Sequence, residues 1–167
     1  IFAKVEKSFG KLDLEFGSRY DYSDVDSSSI SNEDKNYMAF NANVFGIYNV
    51  DENMKYFAGI GKSARVPDAR ELYDTTYGNS DLDQTQNYEI DLGFDKTIGS
   101  FNIRPKLFYS VLKDYIYNSG TFENIDAKIY GLDVSGFYFL TENLSLDYGI
   151  AYQRGKKDGD YTDKDLA

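Results

Sequence analysis

The chain has 167 residues, enough for one domain, and a formal net charge of −10 from 18 basic and 28 acidic side chains. That balance, with no basic stripe along the chain, excludes a nucleic-acid surface, which needs clustered Lys and Arg to displace counterions from phosphates. There is no cysteine and no histidine, which excludes disulfides, thiolate metal sites, imidazole-based zinc sites and every His-dependent nucleophile.

The remaining composition points to strands. Sixteen tyrosines, twelve phenylalanines, fourteen glycines and only two prolines favour sheet broken by turns. No run of 18 apolar residues exists, so no helix is expected to cross a membrane. The chain opens on Ile1 and carries no leader-like segment, and it reads as a mature chain or a piece of something longer.

Strict alternation recurs about eight times. At the start, Ile1, Ala3, Val5 and Phe9 oppose Lys4, Glu6 and Ser8. Next, Leu12, Leu14, Phe16, Tyr20 and Tyr22 oppose Asp13, Glu15, Gly17, Arg19 and Asp21. Two further strands are expected over 36–48 and 55–63. Then Tyr88, Ile90, Leu92 and Phe94 face away from Asn87, Glu89, Asp91 and Asp95. In the longest segment Phe101, Ile103, Leu107, Tyr109 and Val111 oppose Asn102, Arg104, Lys106, Ser110 and Asp114. Over 127–139, Tyr130, Leu132, Val134 and Tyr138 oppose Asp133 and Ser135. Last, Leu144, Leu146, Tyr148, Ile150 and Tyr152 oppose Ser145, Asp147, Gly149, Ala151 and Gln153. Successive side chains of a strand point to opposite faces, so each segment is apolar on one side and polar or small on the other. No helical period competes with this one.

The segments are longer than the five or six residues usual in soluble sheets and suit the roughly 9–11 needed to cross hydrocarbon. Their connections alternate. Tight turns fall at Gly10-Lys11, 50–54, 98–100 and 141–143, and longer polar loops at 23–34, 64–86, 118–126 and from Gly155 onward. Short turns on one rim and long loops on the other is the layout of outer-membrane barrels. The fold class read from the residues is therefore all-β, an antiparallel up-and-down transmembrane β-barrel, here about eight consecutive strands. Phe9, Tyr20, Tyr22, Tyr48, Tyr56, Phe94, Phe101, Tyr115 and Tyr117 sit near strand ends, where such barrels carry aromatic girdles. The charges on the polar faces suggest a wide, wet or plugged lumen.

Four segments carry a family resemblance. Ala64-Arg65-Val66-Pro67-Asp68-Ala69-Arg70-Glu71-Leu72-Tyr73 resembles the Ala-Arg-x-Pro-x-x-x-Glu-Leu loop of TonB-dependent receptors. Gly78-Asn79-Ser80-Asp81-Leu82 is similar to their Gly-Asn-Pro-x-Leu loop, although Ser80 stands where the family has Pro and Asp83-Gln84-Thr85 where it has Lys-Pro-Glu. Gly17-Ser18-Arg19-Tyr20-Asp21 resembles their Gly-x-Arg-Tyr-Asp, and Gly131-Leu132-Asp133 their Gly-x-Glu. The run 57–65 and the pair Arg154-Gly155 resemble the copper-receptor branch. The resemblance implies a barrel of about 22 strands, with residues 1–167 as part of that single domain and the plug domain and final strands absent. It implies a non-enzymatic active-transport receptor of the Gram-negative outer membrane. Such a receptor binds a scarce nutrient (siderophore-iron, a corrinoid, or a metal such as copper) and imports it with energy from the TonB complex. Its partners would be outer-membrane lipid, the plug, TonB and the small nutrient ligand, with no nucleic acid and no cofactor.

On the first loop motif, Arg65, Pro67, Asp68, Arg70, Glu71, Leu72 and Tyr73 are candidates for ordering an external loop or touching ligand. The plainer reading is that Pro67 and the Arg/Glu pairs fix a long turn. Gly78 and Asn79, with Asp81 and Leu82, are expected to supply a turn with positive φ. Asp158, Asp160, Asp163 and Asp165 offer oxygen ligands to Ca²⁺ but lack the spacing of an EF-hand loop, so a solvated acidic loop is the plainer reading. The same holds for Asp21, Asp24, Asp26, Glu33 and Asp34. Met38 and Met54 are soft copper ligands in principle, but one falls on the expected lipid face and the other at a tight turn. Competing classes are a small closed eight-stranded outer-membrane barrel with a structural or adhesive role, an outer-membrane enzyme, and a soluble lipocalin-type barrel.

Overall fold

The computed structural model describes residues 1–25 and 34–157. Eight strands run in chain order: β1 Phe2–Phe9, β2 Leu12–Val25, β3 Lys35–Asp51, β4 Met54–Arg65, β5 Thr85–Ile98, β6 Phe101–Asn118, β7 Phe122–Thr141 and β8 Leu144–Lys157, with one short helix, α1 Ala69–Tyr73, between β4 and β5. Every neighbour in sequence is an antiparallel neighbour in one sheet of order β1 to β8.

The four turns on one rim each leave two residues outside the strands: 10–11, 52–53, 99–100 and 142–143. Gly10 and Gly99 take φ of +61° and +59° there, the left-handed conformation that tight hairpins require and glycine adopts without a Cβ clash. On the other rim the strands overrun the length a membrane needs, β6 and β7 reaching 18 and 20 residues.

Among the described residues β1 pairs with β2 alone and β8 with β7 alone. The sheet is open, which removes the small closed eight-stranded barrel. Its two faces follow the expected alternation. Leu92, Leu107, Ile60, Ile90 and Ile150 stand out from one face, each at least 45% exposed, and no compact core lies beneath them. An apolar surface of this extent belongs against lipid rather than water. The opposite face carries the charges, locally paired: Lys4 with Glu6 and Glu15, Arg19 with Asp21, and Lys106 between Asp91 and Asp133.

Two expectations are corrected on the long-loop rim. The polar connection at 118–126 is only residues 119–121, because β6 and β7 continue as one hairpin. A bulge explains why the sequence hid this. Leu112 pairs with Ala127 and Tyr115 with Ile125, so Lys113 and Asp114 together oppose Asp126, with Asp114 at φ +53°. The extra residue inverts the alternation. Tyr115 and Tyr117 consequently turn to the inner face against Leu112, Ile125 and Ala127, and do not join the outer girdle.

Candidate functional site: a braced loop above a polar wall

β4 and β5 stop at the pair Arg65–Thr85, whereas the β2–β3 and β6–β7 hairpins on either side run further. Residues 66–84 fill the notch between the two taller hairpins. The local chemistry dictates how. Asp68 caps α1: its side chain accepts from the Glu71 amide at 2.9 Å, and the Glu71 carboxylate accepts from the Asp68 amide at 2.9 Å, a reciprocal capping box. The same carboxylate accepts both forks of the Arg65 guanidinium at 2.9 Å each, the bidentate geometry that fixes orientation as well as charge. Pro67, buried, precedes the cap.

Under the helix a small core forms. Leu72 and Leu82, 2% and 3% exposed, meet Tyr37 of β3 and Ile116 of β6, with Val25, Val66, Tyr73 and Phe122 packed around them. Each buried leucine contributes roughly 1.5–3 kcal/mol. Hydrogen bonds tie the loop to both hairpins. Toward β2–β3, Tyr37 donates to the Leu82 carbonyl, Tyr73 to the Val25 carbonyl and Gln84 to the Met38 carbonyl. Toward β6–β7, Asn79 donates to the Phe122 carbonyl, and Asn124 both accepts from the Asp83 amide and donates to the Asp83 and Asp114 carbonyls. Thr85 donates to the Asp114 carbonyl and receives the Ile116 amide.

The motif residues are thus gathered into one module, with unequal roles. Arg65, Asp68 and Glu71 form the polar clamp, Leu72 and Leu82 the core, and Tyr73 and Asn79 the ties. Asp81 stays at the surface, 4.0 Å from Lys35, and Arg70 is exposed. The expectation of positive φ at Gly78 and Asn79 is wrong. Glycine is needed at Gly78 for a different reason: a Cβ there would lie 2.5 Å from the Asp74 backbone. Asn79 instead closes a side-chain turn by accepting from the Asp81 amide. The Asp74 carboxylate accepts from the Thr76 and Tyr77 amides at 2.9 Å, which hold its pKa below the ordinary carboxylate value.

Tyr37, Thr85, Ile116, Phe122 and Asn124 complete the module and carried no motif. Only their position at strand ends hinted at a role. The Ca²⁺ candidates Asp158, Asp160, Asp163 and Asp165 lie outside the described residues, as do Asp26 and Glu33. Asp21 and Asp24 fall on opposite faces of β2, by strand alternation, and form no common site. Met38 is 60% exposed on the apolar face.

Over residues 1–167 the chain matches the description TonB dependent receptor-like, beta-barrel. It belongs to the TonB-dependent receptor β-barrel family.

Solved structures of similar fold agree. The copper transporter OprC matches 93% of this chain and 28% of its own at 21% identity, with a TM-score of 0.78. The FrpB iron transporter from Neisseria meningitidis (F3-3 variant) matches 93% and 25% at 19% identity, TM-score 0.75. The alcaligin outer membrane receptor FauA from Bordetella pertussis matches 94% and 30% at 13% identity, TM-score 0.67. At these identities the likeness is one of fold. The chain spans between a quarter and a third of each of these proteins. No curated protein matches the chain.

Proposed function

We propose that residues 1–167 are part of the single barrel domain of an outer-membrane receptor that captures a scarce nutrient and imports it with energy from TonB. The observation that carries the reading is the two-faced open sheet, apolar outside and charged inside, in a chain that matches the receptor-barrel family along its whole length. The wall continues beyond both edges into a barrel of about 22 strands. A plug domain fills the lumen and lipid covers the apolar face. The nutrient is siderophore-iron, a corrinoid or a metal such as copper, and the solved neighbours named as copper and iron transporters favour a metal or its chelate. The function is transport without catalysis.

Within that receptor the motif residues from Arg65 to Tyr73, Arg70 apart, and from Gly78 to Leu82 act as structure. They brace the loop across two hairpins and leave ligand contact to Arg70 and to the inner wall. The test is growth on each limiting nutrient in turn, in a Gram-negative host lacking this receptor, with and without the TonB gene. Growth on one metal source should require both the receptor and TonB, and the protein should fractionate with outer membranes. Growth independent of TonB, or recovery of the receptor as a soluble protein, overturns the reading.

A further inference from the structure

Toward the loop rim the apolar face ends in a row of cations. In register across the sheet, Leu92, Leu107 and Leu132 make an apolar row, and Ile90, Tyr109, Tyr130 and Arg154 make the next row up. Above that stand Lys62, Tyr88, Val111, Lys128 and Lys156. Rows two residues apart share a face, so Lys62, Lys128, Arg154 and Lys156 lie on the side that Leu92 and Leu107 give to lipid. Val111 is ten residues along β6 from Phe101, about 33 Å of strand and, at a tilt near 45°, roughly 24 Å of height. The apolar band of such walls is about 25 Å tall, so this row sits where hydrocarbon gives way to headgroups.

The cations are crowded and one-sided. Lys128 and Lys156 stand directly opposite across β7 and β8, a like-charge pairing that destabilises a sheet and that an anion above the pair would reverse. Arg154 lies one row below them. Neither row contains an acid, and Asp126, one row higher on the same face, is already engaged by Lys113. The charge also stops abruptly. On β1 to β3 the lysine row continues as Ala3, Ser18 and Ala42, so the feature is a patch and not a girdle.

Beside Lys62 the same face is hollowed into an open apolar groove of about 480 Å³, lined by Val44, Ile60, Ile90, Tyr109 and Val111. Lys62 closes its upper end, 5.9 Å over the Tyr88 ring. An apolar groove with a cation at the headgroup end has the polarity of a lipid, chain below and anion above. Lys62 and the Lys128–Lys156 pair are three strands apart, on the order of 14 Å, too far for one phosphate and within reach of two on a single broad headgroup. A zwitterionic lipid would bring a cation of its own to the row. We infer that the loop rim of the lipid face, from β3 to β8, seats a bisphosphorylated glycolipid of the outer leaflet. One acyl chain lies in the groove, one phosphate meets Lys62, and the other meets Lys128, Arg154 and Lys156. Tyr109 and Tyr130, stacked at 6.4 Å, lie beneath the sugar between them. The inference rests on the receptor reading for which face meets lipid and which rim is outside.

To test this, the intact receptor is delipidated in a non-ionic detergent and mixed with equimolar bisphosphorylated, monophosphorylated and dephosphorylated lipid A. Native mass spectrometry counts the lipid retained, and heat-modifiable electrophoretic mobility reports that each variant is folded. The bisphosphorylated form should be retained over the dephosphorylated one by about tenfold or more. Lys62→Gln should abolish the advantage of the second phosphate. Lys128→Gln and Lys156→Gln should each lower retention about fivefold, and Lys128→Arg, which keeps the charge, should match the parent. Lys96→Gln is the control, exposed on the same face at the short-turn rim, and should change nothing. Should a glutamine variant fail to fold, the parent's ranking of the three lipids still decides. Equal retention of the three forms, retention unchanged by the loop-rim substitutions, or an equal loss with Lys96→Gln overturns the inference and leaves a detergent-requiring receptor standing. A protein that stays in solution without detergent and retains no lipid overturns the receptor reading and this inference together.

Discussion

Glu71 carries more of the loop than any other side chain, because one carboxylate accepts from the Arg65 guanidinium and from the Asp68 amide at once. The ion pair is half-exposed on the arginine side, so screening leaves it modest, and the capping box holds the larger share. Asp68→Ala should cost about 1 kcal/mol, raising opening of α1 about fivefold. Hydrogen exchange over 68–74 measures this, and Asp68→Asn, which keeps the cap, should behave as the parent. Exchange unchanged by Asp68→Ala would mean that packing of Leu72 alone holds the helix. Asp74 makes the loop pH-dependent in a definite direction. Its folded pKa is depressed by the Thr76 and Tyr77 amides, so its contribution is complete above the unfolded carboxylate value of about 3.9 and is lost as pH falls through the lower folded value. A spin label at Thr75→Cys should stay ordered from neutral pH down to that range and loosen below it. With Asp74→Ala the label should be loose at every pH, and a parent whose label loosens well above pH 4 contradicts the assignment.

At the scale of elements, close approach decides which glycines matter. A Cβ on Gly93 of β5 would run into the Phe57 ring of β4 and the Pro105 carbonyl of β6, while one on Gly149 of β8 meets nothing nearer than 3.8 Å. Gly93→Ala should therefore cost about 1–3 kcal/mol and Gly149→Ala less than about 0.5 kcal/mol, read as shifts of the urea midpoint in lipid vesicles. Equal shifts would show that the wall adjusts around Phe57. Strands, hairpin turns and faces were legible because inside the membrane one face must be apolar and the other polar, which writes a period of two into Leu144 to Tyr152 and Tyr88 to Phe94. Above the membrane that constraint ends. Ile125 and Ala127 turn inward, Asp114 hides a bulge, and residues 122–126 of β7 read as loop. The loop motif was legible as a unit through its resemblance to the receptor loop over residues 64–73, while the capping box of Asp68 and Glu71 came only with the structure. Its anchors were not, because Asn124 and Tyr37 are about 40 residues away in sequence and carry no local signature.

For the whole molecule, stability and location follow from the same division of faces. The sheet has little core of its own: its largest side chains are exposed on one side and its charges line the other. Hydrophobic burial must then come from lipid, and backbone pairing at β1 and β8 from further strands, since unpaired edges are costly in hydrocarbon. This makes a sharp contrast between two arginine substitutions. Leu107 of β6 is 58% exposed on the apolar face and in register with Leu92 and Leu132, so Leu107→Arg puts a charge among acyl chains at about 2–4 kcal/mol. Gln153 of β8 is exposed on the opposite face, so Gln153→Arg should stay within about 0.5 kcal/mol. In the intact receptor refolded into vesicles, the first variant should lower the urea midpoint and the folded, heat-modifiable fraction, and the second should change neither. If Gln153→Arg is the damaging change and Leu107→Arg is silent, the faces are inverted: water lies against Leu107, and the charged wall faces outward.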